Sequence, residues 1–188
     1  MDDNQNYIKA DLVIIGAGPG GYTAAFRASD LGINVILIEK HSNLGGVCLN
    51  RGCIPSKAYL HLSKIIEETQ EVKKTGLIFK KPIVDFKKIN LWKNTIINSL
   101  GSGISLLAKQ RKIKIINGTA KFLSADKLYI IDKQNKNMKI KFSYCIIATG
   151  SSPSKIRNIN IKHPRIINST KALSLNKIPK RMLVIGGG

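Results

Sequence analysis

The first forty residues combine two continuous apolar runs with a glycine-rich turn. The run over residues 8–15 ends in Leu-Val-Ile-Ile and predicts a buried parallel strand. Residues 22–31 are rich in alanine and are followed by Gly32, which predicts a helix and its end. Residues 34–38 predict a second buried strand. The order strand, glycine turn, helix, strand is typical of a βαβ unit of about 30 residues.

After this unit the hydrophobic pattern is first helical and then strand-like. Residues 56–71 and 85–109 carry apolar side chains at three- and four-residue spacing, which predicts two helices. Short runs with a period of two come next and predict a hairpin or small meander. Further apolar runs predict a return to a buried strand and one more strand near the last residue. In chain order, these predicted strands cover residues 113–116, 120–123, 127–131, 138–142, 144–148 and 181–185.

The chain has 188 residues, a length at which one main domain is the default. The pattern predicts an α/β fold in which residues 1–150 form a domain with a parallel sheet and a small β-meander. Residues 151–164 are polar, contain proline and are interpreted as a linker. Residues 181–188 repeat the order strand then glycine, so residues 151–188 are predicted to hold the linker and the start of a second domain.

The formal net charge of +20 raises the question of a nucleic-acid or membrane partner. The lysines are scattered as short pairs without interleaved aromatic residues, and lysine, isoleucine and asparagine all have A/T-rich codons. We therefore predict no nucleic-acid partner. The apolar runs are far shorter than the 18 or more residues of a membrane helix, so no membrane role is predicted either.

The remaining composition concerns the compartment. Residues 1–6 are acidic and polar and show no signal-peptide pattern. Three cysteines are too few for a disulfide scaffold, so a reducing cytoplasm is expected. Cys145 lies within an apolar run and is interpreted as a core residue. No metal site is predicted, because few cysteines or histidines stand at ligand spacing.

Gly16, Gly18 and Gly21 form a G-x-G-x-x-G pattern between the first strand and the first helix. In that context the glycines permit a tight turn, a close approach to a pyrophosphate and close packing of helix on strand. Glu39 ends the second strand, where a carboxylate accepts hydrogen bonds from ribose hydroxyls. An ordinary glycine turn and a solvated carboxylate are the simpler alternatives. The combined pattern favours an adenine-dinucleotide site.

Cys48 and Cys53 are five residues apart. In a regular helix their Cα atoms would lie about 8–9 Å apart, whereas a disulfide needs roughly 4.4–6.8 Å. A bridge therefore requires a departure from regular helix, which Gly52 and the Gly45-Gly46 pair permit. An exposed disulfide just before a helix would be labile, because the helix dipole stabilises the thiolate of Cys53. Two reduced cysteines and half of a metal site remain as alternatives.

The segment over residues 45–57, Gly-Gly-Val-Cys-Leu-Asn-Arg-Gly-Cys-Ile-Pro-Ser-Lys, resembles the active-site segment of the FAD-dependent pyridine nucleotide–disulfide oxidoreductases. The Ala-Thr-Gly turn at 148–150 and the glycines at 186–188 fit the same family. Within this family, the sequence of the cysteine segment is most similar to that of the dihydrolipoamide-oxidising branch. The mercuric-ion-reducing branch is the next most similar. The resemblance implies a Rossmann-like FAD-binding domain followed by the first strand of an NAD-binding domain.

The resemblance also implies roles for individual residues. Cys48 would be attacked by the substrate thiol, and Cys53 would face the flavin ring. FAD and NAD are the implied cofactors, NAD as the substrate of a site mostly outside this chain. The residues implied to contact a cofactor are Gly16, Gly18, Gly21, Glu39, Lys40, Gly45, Gly46, Val47, Cys48, Lys57, Ala120, Thr149, Gly150, Gly186 and Gly188.

The implied reaction is oxidation of protein-bound dihydrolipoamide, with the lipoyl domains of 2-oxo acid dehydrogenase complexes as partners and a homodimer as the assembly. Family members are more than twice as long as this chain and take a His–Glu pair from a C-terminal domain. We therefore expect a truncated or partial flavin domain that is inactive alone. The alternatives are a decayed fragment that binds FAD without turnover, or a nucleic-acid- or membrane-binding protein that uses the lysine excess.

Overall fold

The computed structural model describes residues 7–132, 134, 136–154 and 163–186. Within them the chain forms five strands and five α-helices. The strands are β1 (Tyr7–Ile15), β2 (Val35–Glu39), β3 (Lys114–Ser124), β4 (Lys127–Asp132) and β5 (Asn137–Ile147). The helices are α1 (Pro19–Asp30), α2 (Gly46–Arg51), α3 (Cys53–Glu71), α4 (Phe86–Gln110) and α5 (Ser169–Ala172), with a 3-10 helix over Val72–Thr75.

The five strands close into a ring in the order β1-β2-β3-β4-β5. Strand β1 pairs in parallel with β2 and β5, and β2 pairs in parallel with β3. The antiparallel pairs β3–β4 and β4–β5 form the meander. Because β3 and β5 each take part in both arrangements, the parallel sheet and the meander are continuous. This architecture confirms the predicted α/β fold.

Two apolar layers lie on opposite sides of β1 and β2. One layer packs strand residues such as Leu12, Ile14 and Leu37 against α1 and α4, where Ala25 and Ala108 allow close approach. The other lies among all five strands and contains Val13, Ile36, Ile38, Ile116, Leu128, Ile130, Ile140 and Phe142. Both faces of the central parallel strands are thus buried, which explains why they read as continuous apolar runs rather than as alternating ones.

The structure differs from the predicted elements in several places. The runs at 113–116 and 120–123 are one strand, as are those at 138–142 and 144–148, because each continues from one neighbouring strand to the next. Helix α2 lies where no element was predicted, between the predicted strand over residues 34–38 and the predicted helix that begins at residue 56. Residues 181–185 pair with none of the described strands and Leu183 is 85% exposed, so the strand expected there stays a prediction. An apolar run becomes a strand only where a neighbour supplies the hydrogen bonds.

One buried lysine connects α3, α4 and the residues that follow α5. Lys93 on α4 is only 4% exposed. Its ammonium donates to Tyr59 Oη (3.0 Å), Asn90 Oδ1 (3.0 Å) and the Leu173 carbonyl (2.7 Å). The amide of Asn90 donates to the Leu175 carbonyl at 2.9 Å. All three donors of the lysine are therefore satisfied, and they hold residues 173–175 on the two helices.

Candidate dinucleotide and disulfide site

The predicted site residues follow strands that end at one edge of the parallel sheet. Gly16 follows β1, Lys40 follows β2, and Thr149 lies two residues after β5. The Gly16 amide donates to the Ile38 carbonyl at 2.8 Å, and the Ala148 amide donates to the Ile15 carbonyl at 2.8 Å. Carboxyl ends of parallel strands are where ligands bind in open α/β sheets.

The glycine turn after β1 requires its first and third glycines. Gly16 has φ +102, in the left-handed region, and a Cβ there would overlap the Ala148 carbonyl. A Cβ on Gly21 would overlap the carbonyl oxygen of Gly16. Steric overlap alone therefore requires glycine at the first and third positions of the motif. Gly20 has no atom within 4 Å of an added Cβ, so it is not constrained in this way.

The start of α1 is open to an anion. Gly18 is the N-cap residue, Pro19 is the first helical residue, and no side chain caps the helix. An added Cβ on Gly46 would overlap the Gly18 Cα, so two glycine backbones are in contact beside the helix start. Uncapped amide groups at a helix N-terminus bind phosphate through hydrogen bonds and the helix dipole. This arrangement fits the pyrophosphate of a dinucleotide.

Glu39 is buried at the end of β2, with 5% of its surface exposed. Its Oε2 accepts from the Ala17 amide at 2.8 Å, and its Oε1 accepts from the His41 amide at 2.9 Å. The carboxylate thus joins the glycine turn to the loop after β2. Each oxygen has further lone-pair capacity, so these bonds are compatible with the predicted ribose contact.

Two asparagines that sequence reasoning missed fix the loop over residues 40–47. The Asn50 amide donates to the carbonyls of Leu44 (3.0 Å) and Gly46 (2.9 Å). Asn117, directly opposite Glu39 on β3, donates to the His41 carbonyl at 2.8 Å. The only sign in the sequence that Asn50 has a role at the site is its position between the two cysteines. For Asn117 the sequence offers none, because its partner is 76 residues away.

Cys48 and Cys53 form a disulfide with a Cα–Cα distance of 4.7 Å. The helical path is interrupted between them: α2 ends at Arg51, Gly52 has φ −140 and ψ −97, and α3 begins at Cys53. The predicted departure from regular helix is therefore confirmed, and it occurs at the glycine that permits it. Cys48 is half-buried and Cys53 is exposed at the first residue of α3.

The remaining predicted residues take different positions. Lys57 is exposed one turn after Cys53 on α3, and Ala120 is partly buried on β3, beyond the level where β2 ends. Thr149 and Gly150 are exposed, and Gly150 has φ +67. Gly186 is exposed in the unpaired segment, with φ +91. Gly188 lies outside the described residues.

A polar cleft of about 380 Å³ lies beside α2. Arg51 lies in its wall and approaches His41, with 3.5 Å between Nη2 and the ring Nδ1. Gly46 and Val47, two of the predicted cofactor residues, line the same cleft. The described surface next to the cysteine pair therefore offers cationic and amide groups to a polar ligand.

Cys145 lies on β5, apart from the disulfide. Burial raises the pKa of its thiol above the ordinary value, so the sulfur stays protonated and unreactive at neutral pH. Among the described residues no cluster of three or more histidine, cysteine or acidic side chains could hold a metal ion. None of the helices in the described ranges is long and apolar enough to cross a membrane.

Comparison with known proteins assigns the chain to a family. The model of the pyridine nucleotide-disulphide oxidoreductase family matches residues 10–188. Dihydrolipoyl dehydrogenases from Buchnera aphidicola subsp. Schizaphis graminum, Vibrio parahaemolyticus and Staphylococcus aureus are 50%, 44% and 43% identical to this chain over 181 residues. Each alignment covers 96% of this chain and 38% of the relative. The chain, which spans little more than a third of these relatives, belongs to the pyridine nucleotide–disulphide oxidoreductase family.

Proposed function

We propose that this chain provides the disulfide and the flavin-binding part of a dihydrolipoamide-oxidising enzyme. The observation that carries the proposal is the Cys48–Cys53 disulfide at the start of α3. It is supported by the dinucleotide-type glycine turn in the same fold and by relatives named dihydrolipoyl dehydrogenase. The proposed substrate is a dithiol, which can reduce a disulfide by two successive exchanges within one mixed-disulfide complex.

FAD is the proposed cofactor. The uncapped start of α1 at Gly18 would hold its pyrophosphate, and Glu39 would accept from its adenosine ribose. Lys57 would lie near the flavin ring, and Ala120 would meet the adenine through its backbone. Thr149 and Gly150 would close over the cofactor. When bound, FAD supplies an acceptor for the two electrons of the reduced cysteine pair and passes them to NAD⁺.

The cysteine chemistry is a balanced disulfide exchange. A substrate thiolate attacks Cys48 Sγ, a new S–S bond forms to the substrate, and the Cys48–Cys53 bond breaks, which releases Cys53 as a thiolate. The second substrate thiol, after losing its proton, then attacks the substrate sulfur joined to Cys48. The substrate closes as a cyclic disulfide and Cys48 leaves as a thiolate. Two electrons have then passed from the substrate to the cysteine pair and the substrate thiols have lost two protons, so the substrate is oxidised to a cyclic disulfide and the cysteine pair is reduced.

The positions of the two cysteines support attack on Cys48 and release of Cys53 as a thiolate. The backbone amides at the start of α3 stabilise a negative charge on Cys53 through the helix dipole. A stabilised leaving thiolate favours attack on the other sulfur, that of Cys48. The base that deprotonates the substrate, a homodimer, the lipoyl-domain partners and a cytoplasmic location all belong to this proposal for the whole enzyme.

A thiol count separates this function from FAD binding without turnover. The purified chain, saturated with FAD and without NAD⁺, is mixed with dihydrolipoamide under nitrogen, and the thiols gained by the protein are quantified after gel filtration. We expect the wild-type chain to gain two thiols. The Cys48→Ser and Cys53→Ser variants each start with one unpaired cysteine of the pair and should gain no further thiol. The Cys145→Ser variant is the matched control and should still gain two. FAD binding with no thiol gain in the wild-type chain would contradict the proposed exchange.

A further inference from the structure

The ring of strands brings five lysines from distant parts of the sequence onto one outer face. Lys127, Lys141 and Lys9 stand directly opposite one another across β4, β5 and β1. Two residues along each strand, Tyr129, Lys139 and Tyr7 form the next row, and Lys121 on β3 lies opposite Tyr129. Residues two apart on a strand point to the same side. We call this set the lysine face: Lys9, Lys121, Lys127, Lys139 and Lys141, with Tyr7 and Tyr129.

The lysine face points away from the protein interior. The residues that alternate with it, Ala10, Leu128, Ile130 and Ile140, are buried between the strands. Four of the five lysines are exposed and Lys127 is half-buried. A side chain on the buried side of a half-buried sheet contributes to the core, whereas one on the other side lies at the surface. Within the described residues, the lysine face therefore presents exposed lysines on β1, β3 and β5.

Like charges directly opposite on neighbouring strands destabilise a sheet. The Asp126 carboxylate partly offsets this repulsion, with 3.9 Å to Lys141 Nζ. The Ser124 hydroxyl, then a backbone hydrogen bond, and then the nearby ammonium groups of Lys141 and Lys127 hold the pKa of Asp126 below its ordinary value. Among the described residues, one carboxylate against a row of three lysines leaves an excess of positive charge at these strands.

A cleft extends the same face. Lys9 and Lys141 line a recess of about 470 Å³ together with Asp11, Asn34 and Ser143. Asp11 Oδ2 accepts from the backbone amide of Asn34 at 3.1 Å. The recess lies beside the amino-terminal half of β1 and the residue before β2, away from the glycine turn that follows β1. Its lining has two lysines against one aspartate, so cations outnumber anions there.

The chemistry of the lysine face favours a protein carboxylate over a nucleic acid. Tyr7 has the ammonium groups of Lys127 and Lys139 at 5.2 and 5.5 Å from its ring centroid. Those cations occupy the ring surface on which a base would stack. The face contains no arginine, the residue whose planar fork binds phosphate in two places. Its two rows span four strands, so the face is about 14 Å across.

We propose that the lysine face is a transient docking surface for an acidic protein, with carboxylates on the ammonium groups of Lys9, Lys127 and Lys141 and one acidic side chain in the adjoining cleft. The contact is electrostatic and small, so it accelerates association more than it adds affinity. The proposal does not rest on the disulfide chemistry, since the lysine face includes none of the residues at the cysteine pair.

The test measures binding of fluorescent poly-L-glutamate to the whole chain at low and at physiological salt. The face variant carries Lys9→Gln, Lys127→Gln and Lys141→Gln. The control variant carries Lys73→Gln, Lys87→Gln and Lys109→Gln, which remove the same charge from exposed helix positions. We expect wild-type binding that weakens at least about tenfold with added salt. We also expect a loss of at least about tenfold in the face variant and less than about twofold in the control.

Equal losses in both variants would show attraction by net charge alone and overturn the proposal, as would no binding at low salt. Single-stranded DNA of equal charge is the comparator. Tighter binding of DNA than of poly-L-glutamate, lost in the face variant only, would overturn the acidic protein as occupant. The face variant should melt no lower than wild type, because repulsion is relieved. If it fails to fold, the single variant Lys141→Gln is compared with Lys109→Gln, and an equal effect of the two would likewise overturn the proposal.

Discussion

Glu39 and Lys93 are the two charged side chains that the described structure buries, and they are buried for different reasons. Glu39 bonds to amides of the turn after β1 and the loop after β2, within 22 residues of itself. Lys93 bonds to Tyr59 and to a carbonyl 80 residues later. The first charge is balanced by local backbone dipoles. The second is balanced by oxygen atoms that only the packing of three elements brings together.

This difference shows what kind of buried charge can be found from a sequence. Glu39 is recognisable because its distance from the glycine motif is characteristic of a dinucleotide site. Lys93 lies in an amphipathic helix, where the sequence pattern predicts that a single lysine is exposed to solvent. Buried polar groups need partners in either case. The predictions below test whether the two regions depend on backbone sterics, on local bonds or on long-range bonds.

The largest effect is expected from Gly21→Ala, in the region of Glu39. The new Cβ overlaps the Gly16 carbonyl, and a rigid backbone cannot move away without displacing β1. We expect the free energy of unfolding to fall by about 3 kcal/mol or more, or the variant to be insoluble. Urea denaturation followed by circular dichroism measures the change. Gly20→Ala is the matched control: it should leave stability unchanged or raise it by about 0.5 kcal/mol.

The next effect is expected from Lys93→Met. Methionine fills a similar volume but leaves Asn90 Oδ1 and the Leu173 carbonyl without their ammonium donor. We expect stability to fall by about 2 kcal/mol and the amides of residues 172–174 to exchange faster with deuterium. Lys88→Met, on the exposed side of the same helix, should change stability by less than about 0.5 kcal/mol. An unchanged or higher stability for Lys93→Met would show that the cost of burying the charge exceeds the value of its bonds.

A smaller change in stability is expected from Glu39→Gln. The amide keeps one acceptor for either Ala17 or His41 but turns its own donors towards the other backbone amide. We expect a loss of about 1 kcal/mol, together with weaker FAD binding, measured by flavin fluorescence. Glu68→Gln, at an exposed i,i+4 pair with Lys64, is the control for removing a carboxylate. If both variants bind FAD equally, Glu39 does not contact the ribose.

The smallest effect is expected at Cys145, a partly buried thiol that carries no charge at neutral pH. The raised pKa of Cys145 keeps its thiol protonated, so its alkylation by iodoacetamide at pH 8 should be several-fold slower than in the urea-unfolded chain. The rate should rise as the pH approaches and passes the raised pKa, because the thiolate then forms. Mass spectrometry of the Cys48→Ser/Cys53→Ser variant follows the single remaining thiol. Equal rates in the folded and unfolded chains would contradict the burial of this side chain.

Much of the candidate site was accessible to sequence reasoning because it is local. The spacing of the three glycines and the break at Gly52 are visible within short stretches of sequence, although the Ala148 carbonyl that crowds Gly16 comes from the residue after β5. The asparagine bonds to the loop over residues 40–47 were not predicted, because Asn117 reaches that loop only through the pairing of β2 with β3. No described strand pairs with residues 181–185, so the strand expected there stays a prediction.

The lysines give the clearest case of a pattern that the sequence conceals. Along the chain they are scattered pairs without aromatic neighbours, and this was the ground for predicting no nucleic-acid partner. Across the strands Lys127, Lys141 and Lys9 are adjacent, and Tyr7 has lysines on its ring. Register, which is a property of the folded sheet, creates the contiguous surface.

The sequence by itself determined the βαβ beginning, the glycine turn, the cysteine pair and the family, because these depend on residue type and short spacing. The tertiary structure decided the closure of the sheet through β3 and β5, the burial of Lys93 and the assembly of the lysine face. Each of these three joins residues far apart in the chain. Contacts of that kind depend on which strands pair and in what register, which the periodicity of a single segment does not specify.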